Sequence, residues 1–543
     1  MFTKEQDDEM PYFEERKYDK IISSIEITED IVIKKLRKIK INKSPGPDKI
    51  HPRVLREISQ AICKPLQIIF QTSINTRKLP DEWKHAQVTA IFKKGAKTKP
   101  QNYRPVSLTC IICKILESIV RDKIIDHMTD NKLFSPKQFG FISGRSTTLQ
   151  LLHVLKIWTE IIDQGGELNV IYCDFMKAFD KVPHKRLVHK IDKYGIKDDI
   201  LGWIENFLSN RTQVVKVGNI NSAPANVTSG IPQGSVLGPI LFVLYINDLP
   251  EVVDKDSYIY LFADDTKVSR NIKSDQDRII LQEDINKLVE WSNTWMLKFH
   301  PDKCVFMNIS ARQNNISCAY KMGDHILAES KCEKDIGVYI DNNLKFDIHI
   351  NNVVNKANRI LAITRRTFEY MNDNVFCMIF KGLVRPHLEY AAPVWSPHLN
   401  KYKEQLENVQ RRATKLVPGL NQLSYPERLK KLKLPTLAYR RTRGDMIQAY
   451  KILTDNKDSY DKTLPPLFIA SKTGCRGHRK KLFLPGTNKD IGKFNFTNRI
   501  IILWNNLPDY VINSKDLLQF EKNLDNHWKD QELKYDNHLA EIT

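Results

Sequence analysis

The 543-residue chain has no apolar run long enough to cross a membrane. The longest, Val236 to Ile246, is broken by Gly238 and Pro239 and falls far short of the ~20 residues a span needs. An apolar N-terminus is lacking too. The opening MFTKEQDDEM is acidic and is no secretory signal. Internal repeats, heptad runs and low-complexity tracts are missing. Cysteine is sparse and odd in number, 9 in all, which excludes a disulfide scaffold and leaves reduced thiols. The close pair Cys110 and Cys113 has the spacing of a metal knuckle, but no second pair or histidine stands at zinc spacing. Its apolar setting, SLTCIICKILE, marks buried thiols. These absences point to an intracellular protein, nuclear or cytoplasmic, with no membrane partner and no strong localisation signal.

Apolar material is nevertheless ample. At 41% hydrophobic and 9% aromatic residues the chain can build real cores, and its length allows three or four domains. Net charge is +20 and raises the expectation of a polyanionic partner. The charge is unevenly spread: residues 1–30 carry 4 basic against 10 acidic side chains, and 351–450 carry 18 against 7. Solvated helix faces alone could produce such a bias.

Periodicity predicts an acidic, poorly ordered segment over 1–30 and a helix through Ile31, Val32, Leu36 and Ile39. The helix stops at Ser44-Pro-Gly-Pro-Asp48. Further helices are expected over 52–76, 110–131 and 147–164, with a short strand over 88–92. Between 168 and 309 short β-branched runs at 170–173, 214–217, 258–262 and 304–309 alternate with helices, as expected of a buried sheet with helices packed on it. Another strand is expected over 336–340, then basic helical sequence to about 455.

Two acidic sites follow apolar strands directly: Cys173-Asp174-Phe175 and Phe262-Ala-Asp264-Asp265. Adjacent aspartates repel and raise one another's pKa unless a cation is shared. They also cannot point the same way unless a turn lies between them. If the two strands are neighbours, Asp174, Asp264 and Asp265 converge and could hold two hard divalent cations, the arrangement used in phosphoryl transfer. A solvated hairpin tip is the plainer alternative for any one Asp-Asp pair.

Several further motifs agree in order and spacing. Phe262-Ala-Asp-Asp265, Ser229-Gly-Ile-Pro-Gln-Gly-Ser-Val-Leu-Gly-Pro239, Asp174-Phe-Met-Lys-Ala-Phe-Asp180, Ser44-Pro-Gly-Pro-Asp48, Asn102-Tyr-Arg-Pro-Val-Ser-Leu108 and Gln138-Phe-Gly-Phe141 all resemble boxes of reverse transcriptases of non-LTR (LINE-type, jockey-like) retrotransposons. The likeness covers about residues 40–350, and Val384 to Trp395 is family-like as well. It implies an α+β right-hand polymerase, with fingers and a palm over 31–345, a basic helical thumb over 346–455 that grips the duplex, and a mainly helical C-terminal region over 456–543 without a readable role.

The resemblance also assigns roles. Asp174 and Asp264 would be the principal ligands of two Mg²⁺ (or Mn²⁺), Asp265 the third acidic member, and the backbone carbonyl of Phe175 a further ligand. Phe179 falls where the family places the aromatic under the sugar, excluding a ribose 2′-OH; it also suits helix packing. Gln233 and Gly234 would line the nucleotide pocket, Gly234 by letting backbone approach the dNTP. Arg104 and Lys93 or Lys94 would grip the triphosphate, and Lys303 would protonate the pyrophosphate. His300 stands where Asn is usual, and Ile142 where Arg often precedes Gly144-Arg145. The implied partners are an RNA template, a DNA primer or target DNA, and dNTPs. Two alternatives stay open: an inactive nucleic-acid-binding remnant, and a maturase- or telomerase-like enzyme. With so little sequence ahead of Ser44, DNA nicking by a preceding endonuclease is not expected, and no RNase H pattern is visible. The short basic run Arg476-Gly-His-Arg-Lys-Lys481 could serve as a nucleic-acid contact or an address.

Overall fold

The computed structural model describes residues 2–5, 9–310, 319–454, 466–471 and 478–536. The nine longer or site-forming strands are β1 (His85–Phe92), β2 (Tyr103–Leu108), β3 (Glu167–Cys173), β4 (Arg211–Val217), β5 (Tyr258–Phe262), β6 (Asp265–Ile272), β7 (Val305–Ser310), β8 (Cys332–Asp335) and β9 (Val338–Asp341). The helices used below are α1 (Glu29–Arg37), α2 (Ser59–Thr76), α3 (Ile111–Asp130), α4 (Thr147–Asp163), α5 (Gly238–Ile246), α6 (Asp275–Thr294), α7 (Asp347–Thr367), α8 (Asn400–Ala413), α9 (Leu437–Thr454) and α10 (Leu517–His527). Helix and sheet are mixed, as an α+β chain requires.

Local sequence explains the elements. Helix α1 begins at Thr28, whose side chain accepts from the Ile31 amide. Glu29 and Asp30 sit in its first turn and Arg37 in its last, each complementing the helix dipole. Ser274 and Asp277 form a capping box at the start of α6.

The main sheet runs in the order Ala328–Glu329, β7, β3, β6, β5. Its β3 is antiparallel to both β6 and β7, and β5–β6 is a hairpin. Alternation on β3 divides the interior in two. Ile171 and Cys173 enter one core with α3, α5 and α6, whereas Leu168 and Val170 enter a second with α4 and α7 to α10. Both faces of the sheet are covered, which is why β3, β5 and β7 read as apolar runs. A second sheet joins β2, β1 and β4, with β1 and β4 parallel.

Four expectations need correction. Residues 214–217 belong to this second sheet, paired with β1, not with the strand before Asp174. The strand expected over 336–340 is a hairpin, β8 and β9, turning at Ile336 (φ +45°) and Gly337 (φ +91°). The acidic N-terminal segment is fixed where it is described. Phe13, Ile25 and Ile27 are buried, Phe13 packs edge-on to Trp295, and Ile22 bridges Ile196. Apolar side chains interleaved with the acids anchor it, a signal that net charge hides. Strand β2 carries no expected run and β6 follows only from a hairpin tip at Asp264-Asp265; Pro105 in one and Lys267 and Arg270 in the other obscure the apolar pattern.

Cys110 and Cys113 are free and buried, as expected. The C-terminal part docks on α4: the Asp163 carboxylate accepts from the amides of Asn488 (2.9 Å) and Lys489 (2.7 Å). Of the basic run 476–481, Arg476 and Gly477 lie outside the described residues, and Arg479 and Lys480 are exposed. Among the described residues no helix is long and apolar enough to cross a membrane.

Candidate active site

Asp174 leaves the end of β3 immediately after Cys173, which pairs with Thr266 on β6. Asp265 immediately precedes Thr266, so the two acids emerge from the same end of neighbouring strands. Phe262 pairs with Asp265, and the two residues between them form the tightest possible hairpin turn. Its first residue, Ala263, has φ +55°. Turns of this length need such a conformation and usually fill it with Gly or Asn; in Ala it costs about 1–2 kcal/mol. This turn takes Asp264 out of the regular strand alternation that Asp265 begins.

The charges around these carboxylates are unequal. Burial pushes the Asp264 carboxyl above its ordinary value and the Asp174 charge adds to the rise, while Arg104 and Lys93 oppose it. Asp265 is pushed from 3.8 up to about 6, first by loss of surrounding water, then by Asp264 and Asp335. Asp335 itself forms a buried ion pair with Lys267, two residues along from Asp265. Asp174 is held differently. Its carbonyl accepts from the His300 amide (2.7 Å), and its Oδ2 receives the Lys303 ammonium at 2.8 Å. His300 also anchors the loop through its own carbonyl, which accepts from the Lys303 amide at 2.9 Å. Substitution of the usual Asn therefore leaves the loop closed on Asp174.

A protonated Asp265 is favoured in the folded chain, so its contribution to stability is present below about pH 3.8 and lost as pH rises through about 6. Without metal, Asp265→Asn is expected to melt at a higher temperature than wild type at about pH 8, and the gap is expected to close by about pH 4. Calorimetry across that range checks it; equal melting at pH 8 would contradict the crowding.

Of the expected nucleotide-pocket residues, Arg104 and Lys93 lie near enough for their charges to act on Asp264. Arg104 on β2 pairs with Ile91 on β1, and the Lys93 amide donates to the Asn102 carbonyl (2.8 Å). Lys94 is exposed and is not among the charges that act most on Asp264. The loop before α5 is fastened to β2 by the Ser107 amide, which donates to the Gln233 carbonyl at 2.7 Å. The Gln233 side chain donates to Asp180 Oδ1 at 2.9 Å. Gly234 has φ +129°, and a Cβ there would lie 2.3 Å from the Ser107 carbonyl oxygen. Its need for glycine is thus explained by the approach to β2, where sequence reasoning had invoked approach to a nucleotide. Phe179 is half-buried and stacks on Phe242 (centroids 4.4 Å apart), with Phe141 edge-on at 6.4 Å. Ring packing holds its side chain in place. The Phe175 ring is core, stacked on Phe299 at 4.3 Å, so any role in the site falls to its backbone.

Asp174, Asp264 and Asp265 do not close into one three-carboxylate cluster: among the described residues no group of three or more His, Cys, Asp or Glu side chains has metal-holding geometry. The Asp174 charge raises both Asp264 and Asp265, and Asp265 also meets the opposing charges of Asp335 and Lys267.

A family model described as reverse transcriptase (RNA-dependent DNA polymerase) matches residues 91–359. Residues 91–359 are a reverse transcriptase domain. The similar relatives are polymerases of LINE-type, non-LTR elements. In Drosophila melanogaster they include the RNA-directed DNA polymerase from mobile element jockey, 28% identical over 68% of this chain and 42% of the relative. The probable RNA-directed DNA polymerase from transposon BS is 27% identical over 67% and 41%. That from transposon X-element is 25% identical over 70% and 42%. The chain thus spans about two fifths of the length of these relatives.

The reverse transcriptase domain takes in Lys93 through Lys303 and ends within α7. Sequence reasoning missed two of its supports. Buried Glu117 on α3 accepts from Ser235 Oγ (2.5 Å), the Val236 amide (2.7 Å) and the Leu237 amide (3.1 Å), so it fixes the loop that carries Gln233. A lone acid in the apolar Lys114-Ile-Leu-Glu-Ser-Ile-Val120 was the available signal. Gln138 was read as part of a motif but given no task.

Proposed function

We propose that the chain is an RNA-directed DNA polymerase acting in non-LTR retrotransposition, extending a primer 3′-OH from dNTPs along an RNA template. The observation that carries this reading is the pairing of β3 with the β5–β6 hairpin, which sets Asp174 and Asp264 at one sheet end with Lys303, Arg104 and Lys93 around them. Their donor set fits hard divalent cations. Asp264 and Asp265 resist ionisation as they stand, and the Lys303 ammonium rests where a cation would sit on Asp174.

In this reading the main sheet is the palm, and the second sheet with the helices before residue 130 forms the fingers. The basic stretch 346–455 is the thumb, gripping the duplex along its backbone because a copying enzyme must not read sequence. Asp174 and Asp264, with the Phe175 carbonyl, would hold two Mg²⁺ (Mn²⁺ as substitute), and Asp265 would support them. Bound there, the ions supply Lewis acidity for the attacking and departing oxygens. Arg104 and Lys93 bind the triphosphate by charge-assisted hydrogen bonds. Gln233, held by Asp180, lines the pocket. Phe179, propped on Phe242, meets the sugar and clashes with a 2′-OH. As the bond from the primer oxygen to the α-phosphorus forms and the α–β bridge breaks, the 3′-hydroxyl gives up its proton to solvent and Lys303 passes its own to the leaving pyrophosphate.

Primer extension on poly(rA)/oligo(dT) with Mg²⁺ tests both parts. Wild type is expected to incorporate dTTP and reject UTP, and Phe179→Ala is expected to narrow that preference by about tenfold or more. A primer that never lengthens would remove the enzymatic reading; unchanged selectivity would leave Phe179 a packing residue.

A further inference from the structure

The motif Gln138-Phe-Gly-Phe141 has no part in the chemistry above, yet it lies against the turn that presents Asp264. Gln138 is fully buried. Its Oε1 accepts from the Ala263 amide at 2.9 Å and from the Gly140 amide at 2.8 Å, and its Nε2 donates back to the Ala263 carbonyl at 3.5 Å. One side chain therefore grips both backbone polar groups of the single left-handed residue in the hairpin. The flanking backbone follows the same strand: the Phe139 amide donates to the Leu261 carbonyl (2.8 Å) and the Leu261 amide to the Lys137 carbonyl (2.9 Å). A Cβ on Gly140 would stand 2.4 Å from the Ala263 nitrogen, so glycine is what lets the two backbones meet. The base of the clamp is held too. Arg145 donates to the carbonyls of Gln138 and, at 2.7 Å, of Ser135. This spends Arg145 on the protein's own backbone.

Ala263 is where such a clamp is needed. A residue with a Cβ resists φ +55°, and without support the turn would relax toward conformations that swing Asp264 out of line with Asp174. A buried carboxamide satisfying the turn on both sides removes that freedom and leaves no buried amide unpaired.

We propose that Gln138 is a positioning residue of the polymerase site: its carboxamide holds the left-handed Ala263 turn and so fixes the direction in which Asp264 leaves the hairpin. The catalytic half of this inference rests on the proposed function of Asp264; the clamp itself does not.

Two readouts on the full chain separate them. Gln138→Met keeps side-chain length and packing but loses the carboxamide. Hydrogen exchange is expected to quicken about tenfold in peptides spanning 258–268, with peptides of the second sheet unchanged. Primer extension is expected to lose about tenfold in kcat, with the dNTP KM within about twofold and half-saturation by Mg²⁺ moved to higher concentration. In an Ala263→Gly background the same substitution is expected to cost less, because glycine adopts positive φ without a clamp. Should Gln138→Met fold poorly, Arg145→Met is expected to loosen the same peptides. Unchanged exchange over 258–268 in both variants would overturn the proposal. So would equal kcat losses with Ala and with Gly at 263. Quickened exchange in a chain whose wild type never extends a primer would support the clamp and remove the polymerase reading instead.

Discussion

Asp174→Asn is expected to abolish primer extension, with kcat falling at least about 1,000-fold, or roughly 4 kcal/mol of lost transition-state stabilisation. Asn keeps the shape and leaves the His300 amide bonded to the residue-174 carbonyl, so the β3 end need not move. What disappears is the charge that Asp264 feels and that Lys303 answers. Affinity for a template–primer duplex is expected to stay within about twofold, because backbone contacts to basic surface supply it. Melting temperature is expected to change little, since Asp174 is half-exposed and buries no unpaired group on substitution. Single-turnover extension with filter binding alongside checks all three. A rate loss below about tenfold would place Asp174 outside the chemistry.

Gly234→Ala is expected to have the second-largest effect, through geometry where Asp174→Asn acts through charge. The added Cβ would sit 2.3 Å from the Ser107 carbonyl oxygen on a backbone at φ +129°, so the loop must lift from β2. Lifting it breaks the Ser107–Gln233 backbone bond and pulls the Gln233 side chain from Asp180. Glu117 keeps its hold on residues 235–237 just beyond, so the damage stays local. The dNTP KM is expected to rise about 10- to 100-fold, with stability lower by about 1–3 kcal/mol. Steady-state kinetics with thermal unfolding measures both. A KM within twofold of wild type would show that this loop does not shape the nucleotide pocket.

The parts of the fold that the sequence announced are those with strong local signals. Strands β3 and β5 are buried on both faces and read as unbroken apolar runs, and the acids that follow them mark their ends. Helices α1 and α4 carry their own caps. Strand β6 was hidden because Lys267 and Arg270 lie inside it, each buried against a carboxylate that comes from another element, Asp335 and Asp254. No local pattern reveals that an ion pair will neutralise a charge in a strand. The pairing of β4 with β1 across more than a hundred residues is equally invisible to periodicity, as is the split of residues 332–341 into a hairpin whose turn begins at Ile336. In the candidate site, Asp174 and Asp264 were legible as strand ends because an apolar run stops just before each of them. The turn that separates Asp264 from Asp265 could only be posed as a question, and the structure answers it with a left-handed Ala263. Gly234 comes against Ser107 on β2, a neighbour no local pattern names: a missing side chain tells that something comes close, not what.

The account turns on Asp174 and Asp264 jointly holding divalent ions, and Mn²⁺ titration followed by electron paramagnetic resonance tests it without requiring turnover. With a dideoxy-terminated primer on its template and the matching dNTP, wild type is expected to bind two Mn²⁺ that Mg²⁺ displaces, and Asp174→Asn or Asp264→Asn to lose at least one of them. Identical Mn²⁺ binding by wild type and both variants would contradict it.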